Sequence, residues 1–580
     1  ADNTPPRAPT ATGSWSSRCA PRGARVSVWW PIWATWTRPA GWGLRQATQG
    51  AAAAEATPRL FADGAPPSRC VAIDPSRIEV ENVRGFGGPW LALQLLDQLG
   101  LRDFLVQVMP PGRQEIPWEV MSLVLVVLRL LEPSSELRIA EHLFERTALD
   151  VLLGLDPAQV NDDRLYWTLD QLLTHKDALQ KHVKERLGEL FKLDYDLLLY
   201  DVTSTYFEGQ AQGNPLARRG YSRDQRSDCK QVCIALVVSR CGMPVGYEVF
   251  AGNRTDVTTV EEIVTTMEAR YGRSQRIWVM DRGMSSADNI EFLKQGARRY
   301  IIGTPKSMLR KYERELLAAD WTQVREGLEV KLCRDPEGPC AETFILCRSA
   351  ERAKKEQAMH ARFEQRIEEG LAKIQKACDQ RPQEAVKIAQ RVGRLLGQNT
   401  RAAGAFKTRI QAGEPGRVRF AWEKVESWRQ WARLSEGCYL LRSNVTDWTA
   451  QDLWRAYMQL TEAEGAFRIH KSDLTLRPVW HQKQTRVEAH ILVCFLAYVL
   501  WKTLGQWCRS AGLGDEPRKV LDELAQVRVV DVVLHTRCGR TMRRRCISRP
   551  TPHQSILLDR LKLALPRYLA TLEDVVPKTG

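Results

Sequence analysis

The sequence predicts an α/β chain: a mixed-sheet core, preceded by a helical domain and interrupted by a large α+β insertion. Three observations predict it. Apolar residues recur at helical spacing between residues 86 and 190. The period changes at residue 193, where LDYDLLLYD opens a series of short apolar stretches of strand length. Between residues 305 and 448 strand-like and helix-like stretches mix before a helical pattern resumes. The expected division is a low-complexity or disordered segment 1–70, a helical, DNA-binding domain 71–190, the first part of the core 191–304, the insertion 305–448, the second part of the core 449–510 and a C-terminal basic region 511–580.

The elements follow in chain order. Trp29, Trp30, Trp33, Trp36 and Trp42 crowd a stretch rich in Pro, Gly, Arg and Ala that has neither helical nor strand period. Such a stretch offers no core face, so it reads as disordered or as the product of a misplaced start. Residues 90–104 read as a helix, and Pro117 precedes a second, strongly apolar one over 118–131. Ser134 or Ser135 can cap the next, running to about residue 155, and Asn161 and Asp162 precede another. Strands are expected at 193–201, 232–239, 244–250 and 276–281, with a glycine-containing turn at Arg240-Cys241-Gly242-Met243. A helix started by Asp256 fills 257–271. Within 305–448, residues 328–333, 343–347, 420–422 and 438–441 read as strands. Met359, Phe363, Ile367, Leu371 and Ile374 mark an amphipathic helix. Thr449 with Asp452 forms a capping pair for the helices that follow.

Lysine and arginine number 84 against 69 acidic residues, a net charge of +15. Cations near phosphates release condensed counterions, so this balance favours a polyanionic partner. The longest apolar runs, 121–131 and 491–501, are 11 residues each. A spanning helix needs about 20; both runs are expected as buried helices, with no membrane partner and no secretory signal. The 14 cysteines include no C-x-x-C, and Cys229/Cys233 and Cys333/Cys340 are irregularly spaced. Reduced thiols are expected rather than a structural zinc site.

The chemistry lies in three carboxylates. Asp201 and Asp281 each end an apolar strand, so neighbouring strands would bring both to one cation. Tyr457, Glu464, Phe467 and Lys471 stand at 0, +7, +10 and +14, near one face of a helix. Glu464 would then complete the site, Phe467 would anchor the helix and Lys471 would meet a phosphate. Glu462 points to another side of the same helix. Two divalent ions held this way can activate an attacking oxygen and stabilise a leaving one in an in-line displacement at phosphorus.

The segments YDVTSTYFEG, GYEVFAGNRTD, WVMDRGM and YMQLTEAEGAFRIHKSDLTLRPVWH resemble the DDE transposases of bacterial insertion sequences. The resemblance is to the IS-four-like superfamily, with its Tyr-x2-Arg-x3-Glu-x6-Lys helix. Tyr457, Glu464 and Lys471 match, while Leu460 stands where the family has Arg. The resemblance implies an RNase H-like core carrying Asp201, Asp281 and Glu464 as metal ligands for two Mg2+ ions, with Mn2+ able to substitute. It implies DNA contacts from Tyr457, Lys471, Arg282, Arg477 and Thr203. The implied partners are double-stranded DNA, as terminal inverted repeats and target, and a second copy of the chain in the DNA complex. The implied location is the bacterial cytoplasm, on the nucleoid. A nuclease without strand transfer and a non-catalytic remnant of an element are the alternatives. The 80 residues from Asp201 to Asp281 and the 183 from Asp281 to Glu464 require a folded insertion in the second interval.

Other polar residues rank lower. Gly252, Asn253 and Asp256 resemble a family turn and also suit a helix cap. His481 and His490 are candidates for the site or for buried hydrogen-bonded positions. Trp422, Trp428 and Trp431 could stack on a flipped base or pack in a core. Arg537, Arg540, Arg543, Arg544 and Arg545 suit phosphate contact or a solvated face.

Overall fold

The structure, a computed structural model, describes residues 72–109, 112, 114–335, 342–412, 418–537, 539–566 and 569. The expected low-complexity segment 1–70 lies outside them. The described chain opens with a strand, β1 (Glu79–Gly85), and the helices α1 (Gly87–Gln98), α2 (Trp118–Leu131) and α3 (Asp162–Thr174). Pro117 enters α2 at φ −59°, where a missing N–H costs no helical bond. From Met121 to its penultimate residue α2 is buried on every side, as an all-round apolar helix must be. Asn161 caps α3 by accepting the Arg164 N–H at 2.9 Å. The single helix expected to run from Ser135 to residue 155 is broken into Glu136–Arg138, Ile139–Leu143 and Leu149–Leu153. Ser135 caps only the first piece, and Glu136 turns inward there.

The core follows as β2 (Leu197–Tyr206), β3 (Gln231–Ser239), β4 (Pro244–Ala251), α4 (Val260–Tyr271), β5 (Ile277–Met280), α5 (Ala287–Gln295) and β6 (Arg299–Gly303). Then come β7 (Thr322–Arg325), β8 (Leu328–Arg334), β9 (Thr343–Ser349), α6 (Ala350–Gln380), α7 (Ala385–Gln398), β10 (Phe406–Ala412), β11 (Val418–Lys424) and β12 (Cys438–Ser443). The chain closes with α8 (Ala450–Met458), α9 (Thr461–Ser472), α10 (Gln484–Ser510), α11 (Pro517–Leu524), β13 (Arg528–His535) and β14 (Thr541–Ile547), before a last short helix.

Among the described residues, nine strands form one sheet in the order β4-β3-β2-β5-β6-β12-β9-β8-β7. β2, β3 and β4 are antiparallel, whereas β5 and β6 run parallel to β2. These five make the RNase H-like mixed sheet that the sequence predicts. Leu198, Tyr200 and Val202 of β2 pack with α4 and α5, while Leu197 and Leu199 face the helical bundle. The sheet is therefore covered on both faces.

Strand pairing and helix packing run across the expected divisions. The insertion 305–448 is not one separate body, because β7, β8, β9 and β12 extend the core sheet beyond β6. The part with its own apolar core is smaller: α6, α7, β10 and β11 close around Ile367, Leu371, Ile388, Phe406 and Phe420. The helical region 71–190 and the C-terminal region 511–580 are not separate either. β1 pairs with β13, α11 packs on α1, and α2 and α3 pack on α10. That last helix is long and apolar enough to cross a membrane, yet 94% of its most apolar window is buried inside the protein. It serves as the bundle's central helix.

A buried ion cluster joins the two halves of the large sheet. Glu342 accepts from Arg442 Nε on β12 at 2.6 Å, from Lys294 Nζ on α5 at 2.7 Å and from the hydroxyl of Tyr300 on β6. Burial alone would raise this carboxyl, but those donors outweigh it and hold it at about 2 rather than the usual 4.5. Its depressed value means that its stabilisation is full above about pH 4.5 and fades as the pH falls through 2. Glu342→Gln is expected to cost about 3 kcal/mol near neutrality. Urea unfolding of both proteins across pH should show that gap shrinking below about pH 4.5, and a pH-independent gap would count against the ion cluster.

Candidate metal-binding carboxylate site

The site begins with strand register. Tyr200 of β2 lies opposite Met280 of the parallel strand β5, the last pair of that ladder. β5 stops there, so Asp201 and Asp281 follow side by side. Asp281 leads into a tight turn, Arg282–Met284. Asp201 does not end its strand as expected. β2 continues to Tyr206, because Val202 through Tyr206 keep pairing with β3. Asp201 is set apart by the end of its neighbour β5 rather than by the end of β2.

Asp201 is half-buried, and its Oδ1 accepts from the Val202 N–H at 2.8 Å. Burial pushes its carboxyl up to about 7, against the Val202 bond and the Arg223 charge, and Asp281 and Asp256 push the same way. A half-buried carboxylate beside a second carboxylate, with no ion pair of its own among the described residues, suits a hard divalent cation.

Glu464 stands on α9, which packs on β2 and β3 and buries Ala463, Ala466 and Phe467. Small side chains at two of these positions let the helix lie close to the sheet. Glu464 and Asp281 line one cavity of about 510 Å³, with Arg282, Lys306, Tyr457 and Leu460 among its walls. Glu462 turns away, 3.4 Å from Lys502 of α10. The helix expected to carry Tyr457 through Lys471 is interrupted at Gln459 and Leu460. Tyr457 therefore belongs to α8, from which its hydroxyl donates to Asp281 Oδ1 at 3.4 Å. Burial first, then the Asp281 charge, raises that phenol and keeps it protonated.

The expected DNA contacts divide. Arg282 is exposed on the cavity wall. Thr203 lies two residues beyond Asp201 on β2 and is 5% exposed. Lys471 and Arg477 both bind Asp224, the lysine at 2.9 Å, and Asp224 is itself 4% exposed. Burial lowers the Lys471 ammonium against the opposing pull of Asp224. The sequence reading missed Asp224 and also Arg223, which bonds Asp256 and whose charge reaches Asp201. Both sit in the irregular stretch between β2 and β3, where no period marks which charges turn inward.

The lower-ranked candidates go elsewhere. His481 and His490 gather with Glu136, their potential ligand atoms within 4.8 Å of one another. Arg129 lies 3.5 Å from His490 Nδ1. Burial would raise Glu136, but the His481 bond and the charges of His481, His490 and Arg129 hold it at about 2. This is a closed ion network that includes none of the three carboxylates. Trp422 packs on Phe406, Trp428 on His360 and Trp431 beside Arg310. Arg543 and Arg545 pair with Glu81 and Asp531. The described cysteines are free thiols.

Removing Asp224 leaves Lys471 and Arg477 uncompensated. Asp224→Ala is expected to cost about 3 kcal/mol in urea unfolding. A cost under about 1 kcal/mol would mean that water already screens the cluster.

No curated protein matches the chain. Among solved structures, a cryo-EM structure of the piggyBac transposase synaptic complex with hairpin DNA aligns at 10% identity and a TM-score of 0.34, covering 79% of this chain and 82% of that one. A family model described as the transposase DDE domain matches residues 192–500, which contain β2, β5 and α9 and make up more than half of the chain. The chain therefore belongs to the transposase DDE domain family.

Proposed function

We propose that the chain cuts DNA at the ends of its own mobile element and joins the freed 3′ ends to target DNA, as an IS-four-like bacterial transposase. The observation that carries this is that Asp201 and Asp281 directly follow the last paired residues of β2 and β5, while Glu464 lines the same cavity as Asp281. Asp201, Asp281 and Glu464 would hold the metal ions, and Tyr457 orients the Asp281 carboxylate. Bound Mg2+, as two ions with Mn2+ as a substitute, supplies Lewis acidity to the phosphoryl group and to the attacking hydroxyl. Arg282 offers charge to the phosphate being cut. Lys471 and Arg477 hold the neighbouring loop through Asp224 and reach DNA if that loop opens. The DNA partners are the element's inverted repeats and the target duplex. Two copies act on paired ends, in the bacterial cytoplasm on the nucleoid.

Asp201→Asn, Asp281→Asn and Glu464→Gln are each expected to lower Mg2+-dependent nicking of terminal-repeat DNA by about a thousandfold, near 4 kcal/mol of transition-state stabilisation. Gel-shift binding of the same DNA should persist. Nicking that survives any one of these changes removes that residue from the mechanism. Nicking by the wild type without any joined product would favour the nuclease reading.

A further inference from the structure

A second cavity, about 810 Å³, opens beside the catalytic one. The two share Arg282, Lys306, Ser349 and Arg352 as walls, so they form one continuous trough. It leads from Asp281 and Glu464 to the root of α6, where Lys355 and Arg401 line its far end. The charged walls of the second cavity are Arg282, Lys306, Arg352, Lys355 and Arg401 against Glu351 and Glu356, a balance of 5 − 2 = +3. One acid is already used internally: Glu356 accepts from Lys306 at 2.6 Å, from Arg352 at 3.1 Å and from the Gly437 N–H at 3.0 Å. Arg282, Lys355 and Arg401 are exposed and make no ion pair with described residues. Arg401 rests its guanidinium on the Met359 sulfur at 2.9 Å, which keeps it on the wall.

Unpaired cations spread along a trough suit a ligand with repeated negative charges. A compact anion would need them to converge. The trough also starts at a carboxylate site that repels phosphate, so flanking cations are needed to bring a phosphodiester close. We propose that this trough carries the phosphate backbone of duplex DNA away from the carboxylates, with Lys355 and Arg401 as its outer phosphate contacts. The inference rests on the reading of the carboxylate site as one that cuts DNA, and it adds which way the duplex leaves.

The test is fluorescence anisotropy of a labelled terminal-repeat duplex, titrated with the full chain at several salt concentrations. Each lost phosphate contact should lower the slope of log K against log salt by about 0.9. Lys355→Ala and Arg401→Ala should each show that loss, and the double variant about 1.8, with weaker binding throughout. Both side chains are exposed, and melting curves of the variants should match the wild type. Lys519→Ala removes an exposed cation outside the trough and should leave the slope unchanged. A double variant with wild-type slope and affinity overturns the proposal. So does a loss of equal size in Lys519→Ala, which would mark a mere effect of net charge. A wild type that binds no duplex at all overturns the DNA-cutting reading first and this inference with it.

Discussion

Two like charges are held side by side by parallel strand pairing. Asp201 and Asp281 follow the last paired residues of β2 and β5, so backbone hydrogen bonds set their proximity before any ligand is considered. Burial and mutual repulsion make that arrangement costly, and Asp201 shows it in a carboxyl raised to about 7. A protein keeps such a pair where something else relieves the repulsion. A divalent cation coordinated by oxygen does so.

The rest of the fold secures this pair. On one face α4 and α5 pack against Tyr200, Val202 and Met280, fixing the strands from below. On the other, α10 forms the centre of the bundle, and its Tyr498 donates to the Gly242 carbonyl at 2.7 Å in the turn between β3 and β4. His470 of α9 stacks near Tyr498, with ring centroids 4.5 Å apart. Full burial lowers that imidazole to about 4, so it packs as a neutral ring. The helix that brings Glu464 is thus fitted between the sheet and the central helix. Beyond β6, the added strands build the second wall of the cavity that Asp281 and Glu464 line, and Glu342 clamps them to the core.

The periodic parts of the chain were legible. The apolar runs of α2 and α10 and the strands β3, β4 and β5 lie close to where alternation and burial place them. Of the candidate site, Asp201, Asp281 and Glu464 stood out in the sequence because each stands in or beside a strongly patterned element. What pattern could not reveal was tertiary. Asp201 sits in mid-strand because a neighbour ends, and a single strand's sequence carries no record of its neighbour's length. The turn at Gln459 and Leu460 contains neither Gly nor Pro, so nothing punctuates the helix there. The ion partners Asp224 and Glu136 come from distant segments, and no local rule marks an acid that will be buried by a remote lysine, arginine or histidine.

Direct measurement of metal binding tests the central claim most closely. Free Mn2+ can be counted by electron paramagnetic resonance while the full chain is titrated, for the wild type and for the Asp201→Asn and Asp281→Asn proteins. The account predicts that the wild type removes Mn2+ from solution and that either substitution abolishes or severely weakens this binding with the fold intact. Equal Mn2+ binding by all three proteins would contradict it.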